Sequence, residues 1–79
     1  MTDERYEVIK SIHEGGWAQY KGEWFVWPPG TYGAASISDH TVVEHEDGTI
    51  TVSPSIAYST PDRDDYWHGY LEHGVWRRV

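Results

Sequence analysis

The sequence contains no cysteine. Disulfides and thiolate metal ligands are therefore excluded, and a reducing compartment fits without being required. Basic residues are also scarce, because 6 Lys and Arg stand against 13 Asp and Glu and give a formal net charge of −7. Binding to nucleic acid through phosphate neutralisation needs a basic face. We therefore expect no direct nucleic-acid partner.

Long apolar runs are missing as well. No segment approaches the roughly 18 apolar residues that a membrane-spanning helix needs. The N-terminal sequence MTDERYEVIK carries acidic residues where a signal peptide has a basic region followed by an apolar run. We expect no membrane partner and a cytoplasmic location.

Leu, Met and Phe are rare: the 79-residue chain has one of each, against five Trp and six Tyr. We expect one domain, residues 1–79, of a size that buries about 60% of the unfolded chain's surface. Aromatic residues are predicted to supply most of that burial, with Ile and Val filling the gaps.

Glycine-containing turns recur along the chain. The segments HEDGT (residues 45–49) and LEHGV (residues 71–75) place a glycine between β-forming residues, which predicts a hairpin loop with a type I turn closed by a glycine at positive φ. YKGE (residues 20–23) predicts a third hairpin between strands 17–20 and 23–27. PPG (residues 28–30) ends that strand because proline cannot donate to a sheet ladder, and a loop of small residues follows over residues 31–39.

The remaining segments predict an all-β fold. Strands are expected over residues 40–45, 49–53 and 56–59, followed by an acidic loop over residues 60–65 and a closing hairpin. The first strand is expected over residues 5–12, and a helix over residues 3–11 is the alternative. The predicted fold class is a small antiparallel meander that forms a barrel or a two-layer sandwich.

The closing hairpin, YWHGYLEHGVW (residues 66–76), is the richest segment. Alternation puts side chains on two opposite faces of its first strand. The inward set is Trp67, Gly69 and Leu71, and the outward set is Tyr66, His68 and Tyr70. Gly69 leaves room for an aromatic ring from a neighbouring strand, or it bends the strand.

Five histidines raise the question of a metal site, since imidazole is a common transition-metal ligand. His40 and His45 are five residues apart, so they face opposite ways on one strand and cannot share an ion. His73 lies at a loop tip. A site would need His45 with Asp47, or His68 with an acid of residues 62–65. We predict no metal and no cofactor.

Nucleophilic catalysis has two candidate residues, Ser53 and Ser55, which flank Pro54. No G-x-S-x-G elbow is present. Pro54 is expected to interrupt the sheet ladder, and the two hydroxyls to satisfy the freed backbone groups. The carboxylates of the 60–65 segment are expected in a solvated loop, so no catalytic residue is predicted.

A recognition surface is the remaining interpretation, because Trp, Tyr and His side chains stack on rings and partner surfaces at little entropic cost. The six candidate ligand-binding residues are Trp67, His68, Tyr70, Trp24, Ser53 and Ser55.

Two segments, DGTITVSPSI (residues 47–56) and WHGYLEHGVW (residues 67–76), resemble an uncharacterised family of small proteins from bacteriophages and actinobacteria. That family has a DGTI-x-V-SPSI segment followed by a WHG-x-L-x-x-GVW segment. The resemblance covers about the last 40 residues and implies a phage setting in the host-cell cytoplasm. Some relatives carry cysteines suggestive of metal binding, which this chain lacks. The positions that match the family motifs are Asp47, Ser53, Ser55, Trp67, His68 and Trp76.

The sequence thus predicts a non-enzymatic binding module that acts on a host protein or a small nucleotide-like ligand by sequestration or steric block. Two alternatives remain open, a structural or decoration protein of a phage particle and a small His-dependent metal hydrolase. Mimicry of DNA by the acidic surface is a weaker option. Homo-oligomer formation is also left open.

Overall fold

The computed structural model describes residues 3–59 and 66–79, so the predicted acidic loop at 60–65 lies outside the described residues. The elements are α1 (Glu4–Lys10), β1 (Trp17–Tyr20), β2 (Glu23–Val26), β3 (Ala35–Ser36), β4 (Thr41–Glu44), β5 (Ile50–Tyr58), β6 (Trp67–Glu72) and β7 (Val75–Arg78). The chain divides into two compact units, Met1–Ser38 and Asp39–Val79. Among the described residues, no helix could serve as a membrane span.

The all-β prediction is confirmed. The first unit holds a three-stranded sheet of order β1-β2-β3, and the second holds a four-stranded sheet of order β4-β5-β6-β7. Every pairing is antiparallel between neighbours in sequence, as in a meander. Both sheets are open and neither closes on itself, which contradicts the barrel alternative.

The predicted first strand at residues 5–12 is wrong, since the chain there forms α1, as the helical alternative proposed. Asp3 is the N-cap, and its carboxylate accepts hydrogen bonds from the backbone N–H groups of Arg5 and Tyr6. Such a cap satisfies donors that the first helical turn otherwise leaves free. Glu4 in the first turn and Lys10 in the last also match the helix dipole.

Glu23 ties α1 to the first sheet. Its carboxylate receives the Arg5 guanidinium at 2.9 and 3.1 Å and the Ser36 hydroxyl at 2.9 Å. These bonds, with Arg5 the largest cause and Ser36 next, hold the pKa of Glu23 below its ordinary value. The buried apolar side chains of this unit include Ile12, Phe25, Val26, Pro28 and Ile37.

The 31–39 segment is less irregular than predicted. Ala35 and Ser36 form the short strand β3 and pair with β2, which is the close backbone approach that the small residues favour. Strand β2, which is predicted over residues 23–27, ends at Val26, before Trp27 and the two prolines.

All three predicted hairpins form. In the 45–49 loop the Gly48 N–H donates to the His45 carbonyl, and Gly48 has a φ of 87°, as predicted. The β6–β7 loop differs from the predicted type I turn. It has only two residues, His73 at φ 50° and Gly74 at φ 78°. Two central residues at positive φ define the turn whose twist matches an antiparallel hairpin. The β1–β2 loop, with Lys21 at φ 49° and Gly22, is of the same kind.

Strand β5 runs through Pro54 instead of breaking into two strands as predicted. The β5–β6 register nevertheless shifts between Val52 and Ile56, so Pro54 does interrupt the ladder. The core of this unit lies on one face of the sheet. Its buried side chains are Ile50, Val52, Ile56, Tyr58, Trp67 and Leu71. Of the ten buried apolar residues other than proline in the described part of the chain, seven are aliphatic. That aromatic residues supply most of the buried area stays a prediction.

The inward face of β6 is as predicted, since Trp67, Gly69 and Leu71 are all buried. A Cβ placed on Gly69 would meet the carbonyl oxygen of Arg77, and it would lie 2.6 Å from the Trp67 ring and 2.8 Å from the Arg78 Cα. The ring over Gly69 therefore comes from the same strand and not from a neighbour. Trp67 in turn packs edge-to-face on Trp76 of β7, with ring centroids 5.3 Å apart.

Candidate functional site

The outer face of the second sheet carries an ordered polar cluster. Tyr70 of β6 lies opposite Arg77 of β7 in the register. The Arg77 guanidinium sits over the Tyr70 ring, 4.5 Å from its centroid, and its Nη2 donates to Glu72 Oε1 at 2.7 Å. The hydrogen bond to Glu72 raises the pKa of Arg77 above its ordinary value. A cation stacked on an aromatic face and fixed at its edge is a preorganised planar surface.

A groove lies beside this cluster, with a volume of about 310 Å³. Proteins bind small molecules in clefts of about 300–1,000 Å³, so the groove is at the lower end of that range. We call it the outer-face groove. It is lined chiefly by Thr51, Ser53, Pro54, Tyr70, Glu72 and Arg77. Of the predicted ligand-binding residues, it brings together Tyr70 and Ser53.

Ser55 and His68 form a second polar feature, and neither lines the groove. The Ser55 Oγ and His68 Nε2 are 2.9 Å apart, and both residues are half-buried. His68 lies on the outward face, as predicted. The predicted role of the Ser55 hydroxyl, to satisfy a freed backbone group, is wrong because the hydroxyl pairs with an imidazole.

The backbone of Ser55 is also held by an imidazole. His40 Nε2 lies 3.0 Å from the Ser55 carbonyl oxygen, and His40 Nδ1 lies 2.9 Å from Asp39 Oδ1. The carbonyl can only accept, so Nε2 is the donor in that bond. The Asp39–His40 pair therefore anchors β5 at the end of its register shift.

The other two predicted ligand-binding residues lie elsewhere. Trp67 is 3% exposed and belongs to the core. Trp24 belongs to the first unit, where it pairs with Gln19 of β1 and its carbonyl accepts from the Ile37 N–H. Ligand contact by either Trp stays a prediction.

The tips of two hairpins in the second unit meet at a pair of histidines. The imidazoles of His45 and His73 are parallel to within 2°, with centroids 3.8 Å apart. Thr51 lies between their strands: its Oγ1 is 2.7 Å from His45 Nε2 and accepts from the His73 N–H at 2.9 Å. The Gly74 N–H donates to the Ile50 carbonyl alongside. We call the two rings the histidine stack.

Asp47 sits at the edge of this stack. Its Oδ1 accepts from the Thr49 hydroxyl at 2.6 Å and from the Thr49 N–H at 3.0 Å. Its Oδ2 is 3.8 Å from His73 Nε2. The Thr49 bonds, chiefly that of the hydroxyl, hold the pKa of Asp47 below its ordinary value, and the nearby imidazoles of His73 and His45 act in the same direction.

The metal combinations considered from the sequence have different outcomes. Within residues 3–59 and 66–79, no group of three or more His, Asp and Glu side chains is placed to hold a metal ion. His40 and His45 take part in separate contacts, as their spacing predicts. The pairing of His68 with an acid of residues 62–65 falls on residues outside the described ranges.

Several residues of the outer-face groove and of the histidine stack are not among the six ligand-binding residues predicted from the sequence. Arg77, Glu72 and Pro54 were not selected because their neighbourhood depends on cross-strand register, which the sequence does not specify. The Arg77–Tyr70 contact has one usable signal: the short β6–β7 loop pairs residues at equal distance from the turn. The histidine stack has no such signal, since it joins two different hairpins.

The geometry defines an all-β protein with an open groove on one sheet face and a serine–histidine pair nearby. No family model, curated protein or solved structure matches this chain.

Proposed function

We propose that the protein is a small binding module and that the outer-face groove is its recognition surface. The observation that carries this proposal is the fixed plane of the Arg77 guanidinium, held by the Tyr70 ring beneath it and by Glu72 at its edge. Such a plane accepts a flat ring by stacking at little entropic cost. The adjacent Pro54 supplies an apolar wall and Ser53 a hydroxyl.

The charge of the groove favours one kind of ligand. Glu72 neutralises Arg77, and the chain as a whole carries a formal charge of −7. A phosphate group gains little there, whereas an amino group on a flat ring finds a carboxylate acceptor. The proposed ligand is therefore the heterocyclic ring of a nucleoside-like molecule. Its capture acts by sequestration, and the resemblance to phage proteins supports a host cell as the setting.

Titration with nucleosides and their monophosphates tests this function. A ligand of about 20 non-hydrogen atoms that gains about 0.3 kcal/mol per atom has a Kd on the order of 0.1 mM. We expect binding of that order for at least one nucleoside, followed by the amide shifts of Ser53 and Tyr70 in NMR spectra. The monophosphate should bind no more tightly than its nucleoside.

Two arginine variants provide a matched pair. Arg77→Ala removes the stacking plane and should weaken binding at least about tenfold. Arg78→Ala removes the neighbouring charge, whose guanidinium donates to the Tyr66 carbonyl and does not line the groove, and it should leave the Kd unchanged. No shift with any nucleoside, or an equal effect of both variants, would refute the proposal.

A structural role through strand addition is the second candidate. Strands β4 and β7 are the two ends of the second sheet, and each exposes a valine, Val43 at 52% and Val75 at 66%. Unpaired edge strands with apolar side chains favour edge-to-edge association. Mass measurement in solution distinguishes the candidates, since a strict monomer at millimolar concentration contradicts assembly.

A further inference from the structure

The serine–histidine pair has the contact that nucleophilic serines use. An imidazole nitrogen within hydrogen-bond reach of a hydroxyl can take its proton as the oxygen attacks. The Ser55 Oγ to His68 Nε2 distance of 2.9 Å lies within the 2.6–3.2 Å over which such transfer occurs. Both side chains are half-buried, so a small reactant can reach them.

The pair is held by the sheet and not by a loose loop. Ala57 pairs with His68 in the β5–β6 ladder, and Ile56 pairs with Gly69. Ser55 directly precedes this paired stretch, at the end of the register shift, and its carbonyl is bonded by His40. Groups fixed by regular structure keep the relative position that a reaction needs.

Ser53 provides an internal comparison. It flanks the same proline, is exposed, and lies opposite Thr41 in the β4–β5 register. Its hydroxyl has no imidazole within hydrogen-bond distance in the described part of the chain. Any reactivity of Ser55 beyond that of Ser53 therefore reports the contribution of His68.

We propose that Ser55 is a nucleophile, with His68 as its general base, and that it accepts the acyl group of small activated esters. The proposal does not depend on the outer-face groove, because neither residue lines it.

The reaction begins as the Ser55 Oγ attacks the ester carbonyl carbon and forms the new C–O bond, while the hydroxyl proton moves to His68 Nε2. The bond from the carbonyl carbon to the alkoxy oxygen then breaks, and that oxygen takes the proton and leaves as the alcohol. Water adds to the acyl-serine with His68 again as the base, releases the carboxylic acid, and restores the Ser55 hydroxyl. The sum is ester plus water giving acid plus alcohol.

A fluorophosphonate probe tests the nucleophile directly. The Ser55 Oγ displaces fluoride, forms a stable P–O bond and loses its proton, which His68 passes to solvent. Incubation of the whole chain with the probe, followed by peptide mass spectrometry, should give one adduct, on Ser55. Ser55→Ala should remove it, and Ser59→Ala, at an exposed serine of the same unit that does not line the groove, should keep the wild-type rate.

The base is tested by His68→Gln, which keeps a polar side chain without an imidazole. General bases contribute about 10²- to 10⁴-fold, so labelling should slow by at least about 100-fold. Near-ultraviolet circular dichroism checks that each variant is folded. If the glutamine variant does not fold, His68→Asn makes the same comparison, and the urea-unfolded wild type gives the rate of an ordinary serine.

Turnover is measured as p-nitrophenolate release from p-nitrophenyl acetate. Ser55→Ala keeps all five imidazoles, so the excess rate of the wild type isolates the serine, and we expect at least a tenfold excess. No Ser55 adduct, equal labelling of Ser53, an unchanged rate in both His68 variants, or equal ester turnover in wild type and Ser55→Ala would each overturn the proposal.

Discussion

The imidazoles of His45 and His73 lie face to face, with centroids 3.8 Å apart. His45 lies in the loop of the β4–β5 hairpin, and His73 lies in the loop of the β6–β7 hairpin. The stack therefore joins the loop ends of two hairpins of the second sheet. The Thr51 hydroxyl contacts both residues: its oxygen lies within hydrogen-bond distance of His45 Nε2 and accepts from the His73 N–H. The stack thus adds a side-chain contact beside the backbone bond from the Gly74 N–H to the Ile50 carbonyl.

Removal of the histidine stack should loosen these loops. We expect His73→Ala to lower the free energy of unfolding by about 0.5–1.5 kcal/mol, the usual value of a ring pair. Chemical denaturation measures the loss. His13→Ala is the control, because His13 is exposed and its side chain makes no hydrogen bond, ion pair or ring contact in the described part of the chain. Equal losses in the two variants would mean that the stack does not stabilise the fold.

Asp47 should make the free energy of unfolding depend on pH in the acidic range. Its folded-state pKa lies below its ordinary value of 3.8, so its contribution is complete above that value and is lost as the pH falls through the folded-state pKa. Urea midpoints followed from neutral pH downward should therefore fall less steeply in Asp47→Asn than in the wild type. Glu46→Gln removes a carboxylate of the same loop that makes no hydrogen bond in the described residues. It should keep the wild-type slope, and a flattened slope in this variant would contradict the assignment.

Gly69→Ala should be among the most disruptive single changes. The added methyl group would overlap the Arg77 carbonyl, the Trp67 ring and the Arg78 backbone, and overpacking typically costs about 1–3 kcal/mol. We expect a loss of at least about 2 kcal/mol by thermal denaturation. The control is Gly33→Ala, since a Cβ at Gly33 meets nothing within 4 Å. If Gly69→Ala were as stable as this control, β6 and β7 would admit the methyl group at little cost in free energy, and the prediction would be wrong.

Helix α1 should depend on its cap. Asp3→Ala removes the acceptor of the Arg5 and Tyr6 N–H groups and should cost about 1 kcal/mol. Asp3→Ser keeps a capping oxygen and should lose much less. Amide hydrogen exchange at Arg5 and Tyr6 provides the local measurement, and equal exchange in both variants would contradict the role of the cap.

The sequence predicts the positions of the turns and the strand faces well, because these depend on neighbouring residues, whereas the type of the β6–β7 turn differs from the prediction. Gly48 and Gly74 have the positive φ that the loops require, and alternation in β6 matches burial residue by residue. The helix was misassigned although its signal was present: Asp3 precedes Glu4 in the first turn. No helical apolar stripe follows Asp3, and α1 indeed has no buried residue, so the sequence favours a strand there.

The candidate site was predicted only in part, because its residues meet across strands. His68 was expected on the outer face, but its partner Ser55 reaches it through a register shift that no local pattern specifies. The aromatic ring of Trp67 makes it a candidate for ligand contact, and the same apolar ring lies in the core. Which aromatic residues face a ligand is decided by register, not by residue type.

The edge-to-face contact of Trp67 and Trp76 has an optical consequence. Two indoles 5.3 Å apart and nearly perpendicular, at 89°, couple their electronic transitions. The native protein therefore has an intrinsic circular dichroism signal that reports on formation of the β6–β7 hairpin. This signal can be followed during folding without a label, while other probes report on the rest of the chain.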